Sequence, residues 1–336
     1  MKRNILLHTL TLGVVFSLAL QSCKKENGID NDTVVKRPYG LYITDIGGQL
    51  IQTTNGDSFK TIFPPESYPA KALVYSSGGI FWMKARLHVS RDNGMNFNPA
   101  TTLSPIIAPG TPWQTMLLSA LDQKRVYVAD QRGRGVYFTE DDGKNWFEDG
   151  EWDEGIVGGG INSFTQLKSG TIYAYSNAND SIYKKDNKTD KWTWLQQTKA
   201  LPFGATYYLS HFNNTLLATN ADGNGIFYSN DGQSWEPYLG LPNRKLYTTV
   251  APFDETLLVG TDSMGVYRFQ SGQFVPSNNG LGVSTTVYGI AGKDNIYKNG
   301  ARKHYIYLAT SNGLFRSEDL GQNWVSVKEG NYVGVY

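Results

Sequence analysis

The sequence predicts an all-β fold made of repeated units, and three observations support this prediction. First, the chain of 336 residues is rich in residues that favour strands and turns, with 21 Tyr, 15 Phe, 8 Trp and 36 Gly. Second, short apolar runs alternate with polar segments that contain glycine, while amphipathic helical periodicity is scarce. Third, the octapeptide pattern S/T-x-D-x-G-x-x-W/F recurs along the chain. A chain that repeats its local sequence is expected to repeat its local structure.

The octapeptide ends in an aromatic residue, and these aromatic residues set the register of the repeat. Seven of them can be placed along the chain: Phe59, Phe97, Trp146, Trp192, Trp235, Phe274 and Trp324. Their spacings are 38, 49, 46, 43, 39 and 50 residues. Units of about 40 to 50 residues with four short strands each are typical of a β-propeller. The sequence therefore predicts a seven-bladed β-propeller of four-stranded antiparallel blades.

The copies of the octapeptide differ in how well they match the pattern. Three copies match it fully, and three more are degenerate. The copy that ends at Trp235 is intermediate, because Asn230 is aligned with the aspartate and Tyr228 with the serine. The residues assigned to the motif are Ser90, Asp92, Gly94, Phe97, Thr139, Asp141, Gly143, Trp146, Asn230, Gly232, Trp235, Ser317, Asp319, Gly321 and Trp324.

Each unit repeats the same order of strands, as the unit around Trp146 illustrates. An apolar stretch at residues 115–121 is expected to form the innermost strand of this unit. Residues 125–130 and 135–140 follow as the second and third strands. The octapeptide then forms a turn, and its aromatic residue begins the fourth strand.

The first unit lacks an innermost strand, and the C-terminus offers a replacement. Residues 39–45 and 49–54 resemble the second and third strands of a unit, and Phe59 begins the fourth. After the seventh unit is complete, the chain continues with the strand-like segment NYVGVY at residues 331–336. We expect this segment to pair with the N-terminal blade, which closes the ring and leaves no open sheet edge at the seam.

The composition of the octapeptide fits a tight turn between the third and fourth strands. Glycine tolerates a positive φ, which such turns require. The aspartate can accept hydrogen bonds from backbone N–H groups of its own loop, and the Ser or Thr hydroxyl can add another. The terminal aromatic residue is expected to turn inward between neighbouring sheets. The motif is therefore interpreted as structural, and Asp92, Asp141 and Asp319 are not expected to be catalytic.

The octapeptide resembles the Asp box, or BNR repeat, of sialidases, sortilin-type receptors, certain xyloglucanases and photosystem assembly factors. The resemblance covers residues 37–336. It implies a propeller whose ligands bind where the second strand of each blade turns into the third and where one blade is linked to the next. It does not imply one function, because the proteins that share the motif include both enzymes and binding proteins.

The N-terminus carries the features of an export signal. A basic start is followed by an apolar run of about 16 residues, shorter than the roughly 20 residues of a spanning helix. Residues 20–23, Leu-Gln-Ser-Cys, resemble the lipobox of bacterial lipoproteins. The resemblance implies a signal peptide at 1–22, lipidation of Cys23 and a flexible tether at 23–36. It predicts an envelope lipoprotein, in the outer membrane by preference because Lys24 follows the cysteine. An uncleaved anchor helix is the alternative.

Candidate ligand-binding residues are expected on the loops and links named by the resemblance. They are Trp113, Arg132, Arg134, Trp152, Asp153, Asp222, Asn224 and Arg244. Arginine can clamp a carboxylate or phosphate through two hydrogen bonds, and tryptophan can stack on a sugar ring. Asp222 and Asn224 form a D-x-N pair, which is only a weak calcium signal. The alternative for each residue is a solvated loop charge or an aromatic ring that covers the core.

These features favour a non-catalytic binding or assembly module for a glycan or an envelope protein. The net charge of +1 gives no electrostatic footprint for nucleic acid. The four histidines lack metal-ligand spacing, and no phosphate-binding loop or dinucleotide fingerprint is present, so we expect no metal or cofactor. Membrane contact is expected through the N-terminal lipid alone. The alternative is a sialidase-like or related glycoside hydrolase. The R-I-P element of sialidases is absent from this sequence, however, and the sialidase ring has six blades and not seven.

Overall fold

The computed structural model describes most of the region after the N-terminal segment. The described residues are 40–64, 72–83, 87–100, 116–119, 122–129, 136–150, 152, 161–177, 180–186, 189–220, 222–223, 225–296 and 301–336. The signal peptide predicted at 1–22, the lipidated Cys23 and the tether at 23–36 lie outside these residues and stay predictions. Within the described ranges, no helix has the length and hydropathy that crossing a lipid bilayer would require.

The protein is a β-propeller of seven blades, as the spacing of the aromatic residues predicts. Each blade is a sheet of four antiparallel strands, and the blades form a ring. In six blades the strands follow one another in chain order from the innermost to the outermost. In the part of the chain that the structure describes, the helical content is limited to one 3-10 turn at Pro252–Asp254.

The strands of the first four blades are short. Their bounds are β28 (Tyr332–Val335), β1 (Leu41–Asp45), β2 (Leu50–Thr53) and β3 (Lys60–Phe63) in blade 1, β4 (Ala72–Tyr75), β5 (Ile80–Met83), β6 (Leu87–Ser90) and β7 (Asn98–Pro99) in blade 2, β8 (Met116–Ser119), β9 (Val126–Ala129), β10 (Val136–Thr139) and β11 (Phe147–Glu148) in blade 3, and β12 (Ser163–Gln166), β13 (Ile172–Ser176), β14 (Ser181–Lys185) and β15 (Trp192–Leu195) in blade 4.

The last three blades follow the same plan. Their strands are β16 (Tyr207–Phe212), β17 (Thr215–Asn220), β18 (Ile226–Ser229) and β19 (Glu236–Pro237) in blade 5, β20 (Leu246–Val250), β21 (Leu258–Thr261), β22 (Val266–Gln270) and β23 (Gln273–Pro276) in blade 6, and β24 (Val287–Ile296), β25 (Arg302–Thr310), β26 (Gly313–Ser317) and β27 (Val325–Lys328) in blade 7.

The C-terminal strand closes the ring, which confirms the prediction for residues 331–336. Strand β28 pairs with β1 in antiparallel register, so that Ile43 lies opposite Val335 and Thr44 opposite Gly334. The backbones of Tyr42 and Tyr336 exchange two hydrogen bonds, with N–O distances of 3.1 and 2.9 Å. Blade 1 therefore takes its innermost strand from one end of the propeller and its other three strands from the other end.

The octapeptide turns hold themselves together through side-chain oxygens. In blade 3, the Thr139 hydroxyl donates to Asp141 Oδ1 at 2.9 Å and accepts from the backbone N–H of Gly143 at 2.9 Å. The same Asp141 oxygen accepts from the backbone N–H of Asn145 at 2.9 Å. The other two fully matching copies make the same three bonds. Each aspartate oxygen thus satisfies donors of its own loop.

The copy in blade 5 corrects the alignment made from the sequence. Its hydroxyl and carboxylate come from Ser229 and Asp231, which hydrogen-bond to each other at 2.9 Å, and not from Tyr228 and Asn230. The side chain of Asn230 accepts a hydrogen bond from Thr215 instead. The loop between the hydroxyl residue and the glycine is one residue shorter here than in the fully matching copies. Counting back from the aromatic residue therefore assigns the hydroxyl and the carboxylate to positions one residue too early in the chain.

In six of the seven blades, the aromatic residue of the turn fills the space between two blades. Trp146 packs against Phe81 and Val89 of blade 2 and against Val126 and Val128 of blade 3. Its ring meets that of Phe81 edge-on, with centroids 6.1 Å apart. The residues in the equivalent positions between other blades are Phe97, Trp192, Trp235, Phe274 and Trp324. Burial of these large rings joins neighbouring sheets.

The glycine of each turn lets the loop approach the preceding blade. Gly94 has a φ of +81°, and a Cβ there would lie 1.8 Å from the hydroxyl of Tyr42 in blade 1. At the seam, the turn of blade 1 meets blade 7 through polar contacts: Arg316 pairs with Asp57 at 3.0 Å, and Lys328 lies 5.3 Å from the ring centroid of the half-buried Phe59. The seam therefore relies on strand pairing and on charge.

The joint between blades 3 and 4 contains a buried ion pair that the sequence analysis did not anticipate. Lys185 contacts the carboxylate of Asp149, and their side chains are 2 % and 0 % exposed. The indole N–H of Trp192 donates to the other Asp149 oxygen at 2.9 Å, and Asp190 lies 3.1 Å from Lys185. Burial opposes the charge of Lys185, but the Asp149 carboxylate outweighs it and raises the pKa of Lys185. Breaking such a pair leaves an uncompensated buried charge.

Truncation of Trp324 tests the role of the aromatic joints. Trp324 is buried between blades 6 and 7, and its indole N–H donates to the backbone of Ser277 at 2.8 Å. Trp324→Ala should lower the free energy of unfolding by about 3–5 kcal/mol. Val325→Ala is the matched control, because this neighbour is 64 % exposed and should change stability little. Urea denaturation measures the free energy of unfolding of both variants. Equal losses of stability would contradict the role of Trp324 in joining blades 6 and 7.

Acid denaturation tests the octapeptide carboxylates. Burial raises the pKa of Asp141, but hydrogen bonds from the Asn145 backbone and side chain and from Thr139 together outweigh burial and lower this pKa to about 2. The pKa of Asp319 is lowered in the same way. A lowered pKa in the folded state adds stability at neutral pH that is lost as pH falls below about 4 toward 2. The stability difference between the wild type and an Asp141→Asn, Asp319→Asn variant should therefore shrink over this range.

The exposed Glu148 supplies the control for the acid experiment, since it accepts no hydrogen bond from an octapeptide loop. Glu148→Gln should follow the wild-type stability curve between pH 5 and pH 2 to within about 0.5 kcal/mol. A difference between the wild type and the double Asp variant that stays constant with pH would show that the lowered pKa values do not contribute to stability.

Candidate functional site

The topology of the blades separates the propeller into two kinds of loop ends. In each antiparallel blade, the turn between the second and third strands lies at the opposite sheet end from the octapeptide turn. The link from the outermost strand of one blade to the innermost strand of the next lies at the same sheet end as the turn between the second and third strands. We call the surface formed by the second-to-third-strand turns and the blade-to-blade links the ligand face. Its described part runs from blade 4 to blade 1.

The link from blade 5 to blade 6 is wedged between the turns of the two blades. A Cβ on Gly223, in the turn of blade 5, would lie 2.6 Å from the carbonyl oxygen of Arg244. On the other side, the backbone N–H of Asp262, in the turn of blade 6, donates to the carbonyl of Lys245 at 2.9 Å. The backbone that carries Arg244 and Lys245 is therefore fixed from both sides.

The link from blade 6 to blade 7 is held in the same way. The backbone N–H of Gly265 in blade 6 donates to the carbonyl of Thr285 at 2.8 Å, and Ser311 in blade 7 donates to Thr286 at 3.0 Å. The Thr286 hydroxyl also accepts from the backbone N–H of Ser263 at 3.0 Å. Three contacts from two blades thus position the chain just before strand β24.

The link from blade 4 to blade 5 relies on side-chain contacts. The hydroxyl of Tyr175 donates to both the Asp180 carboxylate at 2.8 Å and the carbonyl of Ala205 at 2.9 Å. The hydroxyl of Tyr207 donates to the carbonyl of Pro202 at 3.0 Å. The Asp180 carboxylate lies in the turn of blade 4, so this link also belongs to the ligand face.

These three links share an anchor and a display position. The anchors are partly buried leucines that pack against the core, namely Leu201, Leu241 and Leu281. Two residues later, each link turns outward. There Phe203 is 91 % exposed and Val283 is 95 % exposed, and the middle link has the exposed Asn243 followed by Arg244. Phe203 and Val283 are therefore apolar side chains that a fixed backbone displays to solvent.

The middle link carries two cations. Arg244 and Lys245 are exposed, and in the described ranges neither lies within ion-pair distance of a carboxylate. The Lys245 ammonium lies 5.0 Å from the ring centroid of Tyr247, a distance suited to cation–π attraction. The Tyr247 ring in turn meets that of Tyr288 with centroids 5.0 Å apart. No described residue accepts a hydrogen bond from the Arg244 guanidinium, whose N–H groups can donate to a ligand.

Tyrosines line the starts of the innermost strands beside these links. Tyr208, Tyr247 and Tyr288 each occupy the second position of β16, β20 and β24. Burial and the nearby Asp222 carboxylate raise the pKa of Tyr208, and burial and Asp262 raise the pKa of Tyr247. Both hydroxyls therefore stay protonated at neutral pH and can donate hydrogen bonds. Rings with a polar tip are suited to binding surfaces.

Only part of the predicted site can be located. Asp222 and Arg244 lie on the ligand face, in neighbouring loops, as the sequence analysis expects. Trp113, Arg132, Arg134, Asp153 and Asn224 lie outside the described residues, so the arginine clamp and the calcium site stay predictions. Among the residues with defined positions, no group of three or more His, Cys, Asp or Glu could hold a metal ion.

Trp152 lies in a different environment from the one expected of a stacking floor. Its ring stacks on Trp192, with centroids 4.5 Å apart and planes at 4°, and meets Tyr183 edge-on. It packs against the core between blades 3 and 4. This arrangement corresponds to the alternative considered from the sequence, in which the aromatic ring covers the core.

Several residues of the ligand face were missed by the sequence analysis. The clearest are Phe203 and Val283, together with the three tyrosines. A weak signal was present, because the links ALPF, GLPN and GLGV repeat a leucine followed by Pro or Gly. That signal marks the anchor, but exposure of the following side chain becomes visible only once the link is placed between two turns.

Comparisons with known proteins agree on the fold. No protein-family model matches the chain, and no curated protein matches its sequence. Among solved structures, YCF48 from Cyanidioschyzon merolae is 16% identical over 81% of this chain and 92% of that chain, with a TM-score of 0.55. YCF48 bound to a D1 peptide is 14% identical over 85% and 92%, with a TM-score of 0.52. A streptogramin B lyase is 15% identical over 82% and 92%, with a TM-score of 0.55.

These similarities establish the class of protein, a seven-bladed β-propeller, and leave its activity open. At such low identity a similarity shows the fold alone. The structural neighbours include both a lyase and a protein solved with a bound peptide. The fold is therefore compatible with catalysis and with binding, and the choice rests on the residues of the ligand face.

Alanine substitution of two glycines tests whether the turn of blade 5 positions the link that carries Arg244 and Lys245. Gly223 and Gly225 have φ values of +99° and +100°, so alanine is strained at both positions. A Cβ on Gly223 would also collide with the Arg244 carbonyl, whereas nothing lies within 4 Å of one on Gly225. Gly223→Ala should therefore destabilise the protein by about 1 kcal/mol or more beyond Gly225→Ala, which lowers the melting temperature by about 1–2 °C more in a chain of this size. Equal shifts in melting temperature would contradict the conclusion that the turn of blade 5 positions this link.

Proposed function

We propose that this protein is a non-catalytic binding or assembly module, which holds a protein partner on its ligand face. The proposal places the chain in the bacterial cell envelope, attached through a lipid on Cys23, with the outer membrane as the preferred site. Its recognition surface is the set of links and turns from blade 4 to blade 1, and its octapeptide turns have a structural role.

The observation that carries the proposal is the exposure of Phe203 and Val283. They occupy matching display positions on two links whose backbones are held by neighbouring blades. Apolar surface exposed to water costs roughly 25 cal/mol per Å², and a partner that covers it recovers that free energy. Ile46 and Met264, in the turns of blades 1 and 6, add further exposed apolar side chains to the same face.

The polar groups of the two loop ends differ in a way that supports this proposal. The octapeptide carboxylates accept hydrogen bonds from their own loops and have little capacity left for a ligand. On the ligand face, Arg244 and Lys245 are exposed with no carboxylate partner in the described ranges. A surface that combines apolar side chains, tyrosines and arginine resembles the composition of protein interfaces.

A structural neighbour gives this type of function a precedent. YCF48, which has the same fold, has been solved with a bound D1 peptide. The precedent is one of fold, so it supports a protein-binding propeller without naming the partner of this chain. The protein partner therefore has a precedent among the structural neighbours.

Selection of peptides on the full-length protein tests the proposal. A random dodecapeptide library displayed on phage is selected against the immobilised protein, and the affinity of the enriched peptides is measured. Phe203→Ser and Val283→Ser should each weaken binding about tenfold, because each removes an apolar contact of one side chain.

Val325→Ser is the matched control, since Val325 is an exposed valine of an outermost strand in blade 7. It should leave the affinities unchanged. If the selection enriches no peptide, or if the enriched peptides lose affinity only with Val325→Ser, the proposed function is wrong.

A further inference from the structure

The three described links present an ordered pattern along the ligand face. Blades follow one another around the ring, so the link between blades 5 and 6 lies between the other two. After its anchor leucine it displays Arg244 and Lys245, whereas the links before and after it display Phe203 and Val283 after theirs; the exposed Leu239 precedes the anchor of the middle link. A partner that spans the three links therefore meets an apolar side chain, then positive charge, then a second apolar side chain.

No carboxylate in the described part of the chain forms an ion pair with the two cations of the middle link. Asp222 and Asp262 are the carboxylates in the turns on either side of it. Asp262 Oδ1 accepts hydrogen bonds from the hydroxyls of Thr286 and Ser263, both at 3.2 Å. Asp222 makes no ion pair with Arg244 although their loops are in contact. The two cations are left with vacant donors, which are best satisfied by carboxylates.

Rings beside Lys245 favour a defined position for this charge. The ammonium lies against the face of Tyr247, whose ring is in turn supported by Tyr288. An ammonium that is partly held by an aromatic face loses less conformational entropy when it forms an ion pair than one on a free side chain. The protonated Tyr247 hydroxyl provides a further hydrogen-bond donor to an anion.

We infer that the partner's docking segment carries one or more Asp or Glu residues flanked on both sides by apolar residues. The carboxylates pair with Arg244 and Lys245, and the flanking side chains cover Phe203 and Val283. This inference rests on the proposed function, because it names the chemistry of the protein partner. Asp222 opposes an acidic segment and sets a limit on how much negative charge the site accepts.

A basic segment is the contrary case, and the arrangement of charges disfavours it. Such a segment would be attracted to Asp222 but repelled by two exposed cations, and one oxygen of Asp262 is already occupied. Charge complementarity selects partners largely by penalising the wrong sign. The two cases predict opposite effects of the same substitutions.

The library selection described above tests the inference when its output is sorted by charge. Peptides enriched on the wild-type protein should contain Asp or Glu between apolar residues and should be poor in Lys and Arg. The best peptide should bind about tenfold more tightly than its counterpart in which every Asp is Asn and every Glu is Gln, and less so at high salt.

Substitutions of the middle link give the decisive comparison. The double variant Arg244→Gln, Lys245→Gln should lower the affinity of the acidic peptide to that of its amide counterpart and leave the counterpart unchanged. Asp222→Asn should raise the affinity of the acidic peptide. These polar replacements are at exposed positions, and thermal melting curves verify that the variants are folded.

The outcomes separate this inference from the proposed function. If peptides are enriched and depend on Phe203 but show no preference for acidic residues, or if the double variant binds them as the wild type does, the inference is overturned and the binding function stands. If basic peptides are enriched and Asp222→Asn lowers their affinity for the protein, the inference is also overturned. If no peptide is enriched at all, both fail.

Discussion

The fold depends on one requirement, that each four-stranded blade must bury both of its faces against neighbours. A sheet of this size cannot be stable alone, because its strands are short and its two faces are apolar. The aromatic residue at the start of each fourth strand meets this requirement, as Trp146 does between blades 2 and 3. The hydrogen-bonded octapeptide turn fixes where that residue enters. Pairing of strand β28 with β1 then ties the C-terminus to the N-terminal blade, so that the first and last blades cover the two faces that a linear array would leave open.

The same requirement explains why the two loop ends of the blades differ. The octapeptide turns are packed on the preceding blade, and their carboxylates are committed to their own loops. The links on the opposite end have only to connect an outermost strand to the next innermost one. Their buried leucines fix them, so residues such as Phe203 and Arg244 can vary without loss of the fold. A rigid ring therefore presents a surface whose chemistry is set by a few display positions.

The sequence predicts the ring well and the site poorly, for physical reasons. Strand order, blade number and the closing strand follow from local patterns that recur at a fixed spacing. The motif roles of Ser229 and Asp231 were assigned to the wrong residues, because counting back from the aromatic residue cannot detect that the loop is one residue shorter. Lys185 and Asp149 are 36 positions apart, and their ion pair does not belong to the repeated octapeptide pattern, so the repeat does not reveal it. Exposure of Phe203 depends on how its link is placed, which no local pattern encodes.

One set of loops is assigned a structural role and the other a role in recognition, and hydrogen–deuterium exchange of the full-length protein can distinguish the two sets. Exchange is measured with and without a saturating bound peptide. We expect slowed exchange only in the links at 199–206, 239–245 and 277–286 and in the turns beside them, while the octapeptide turns are unchanged. Slowed exchange centred on the octapeptide turns, with the links unaffected, would contradict this division of roles.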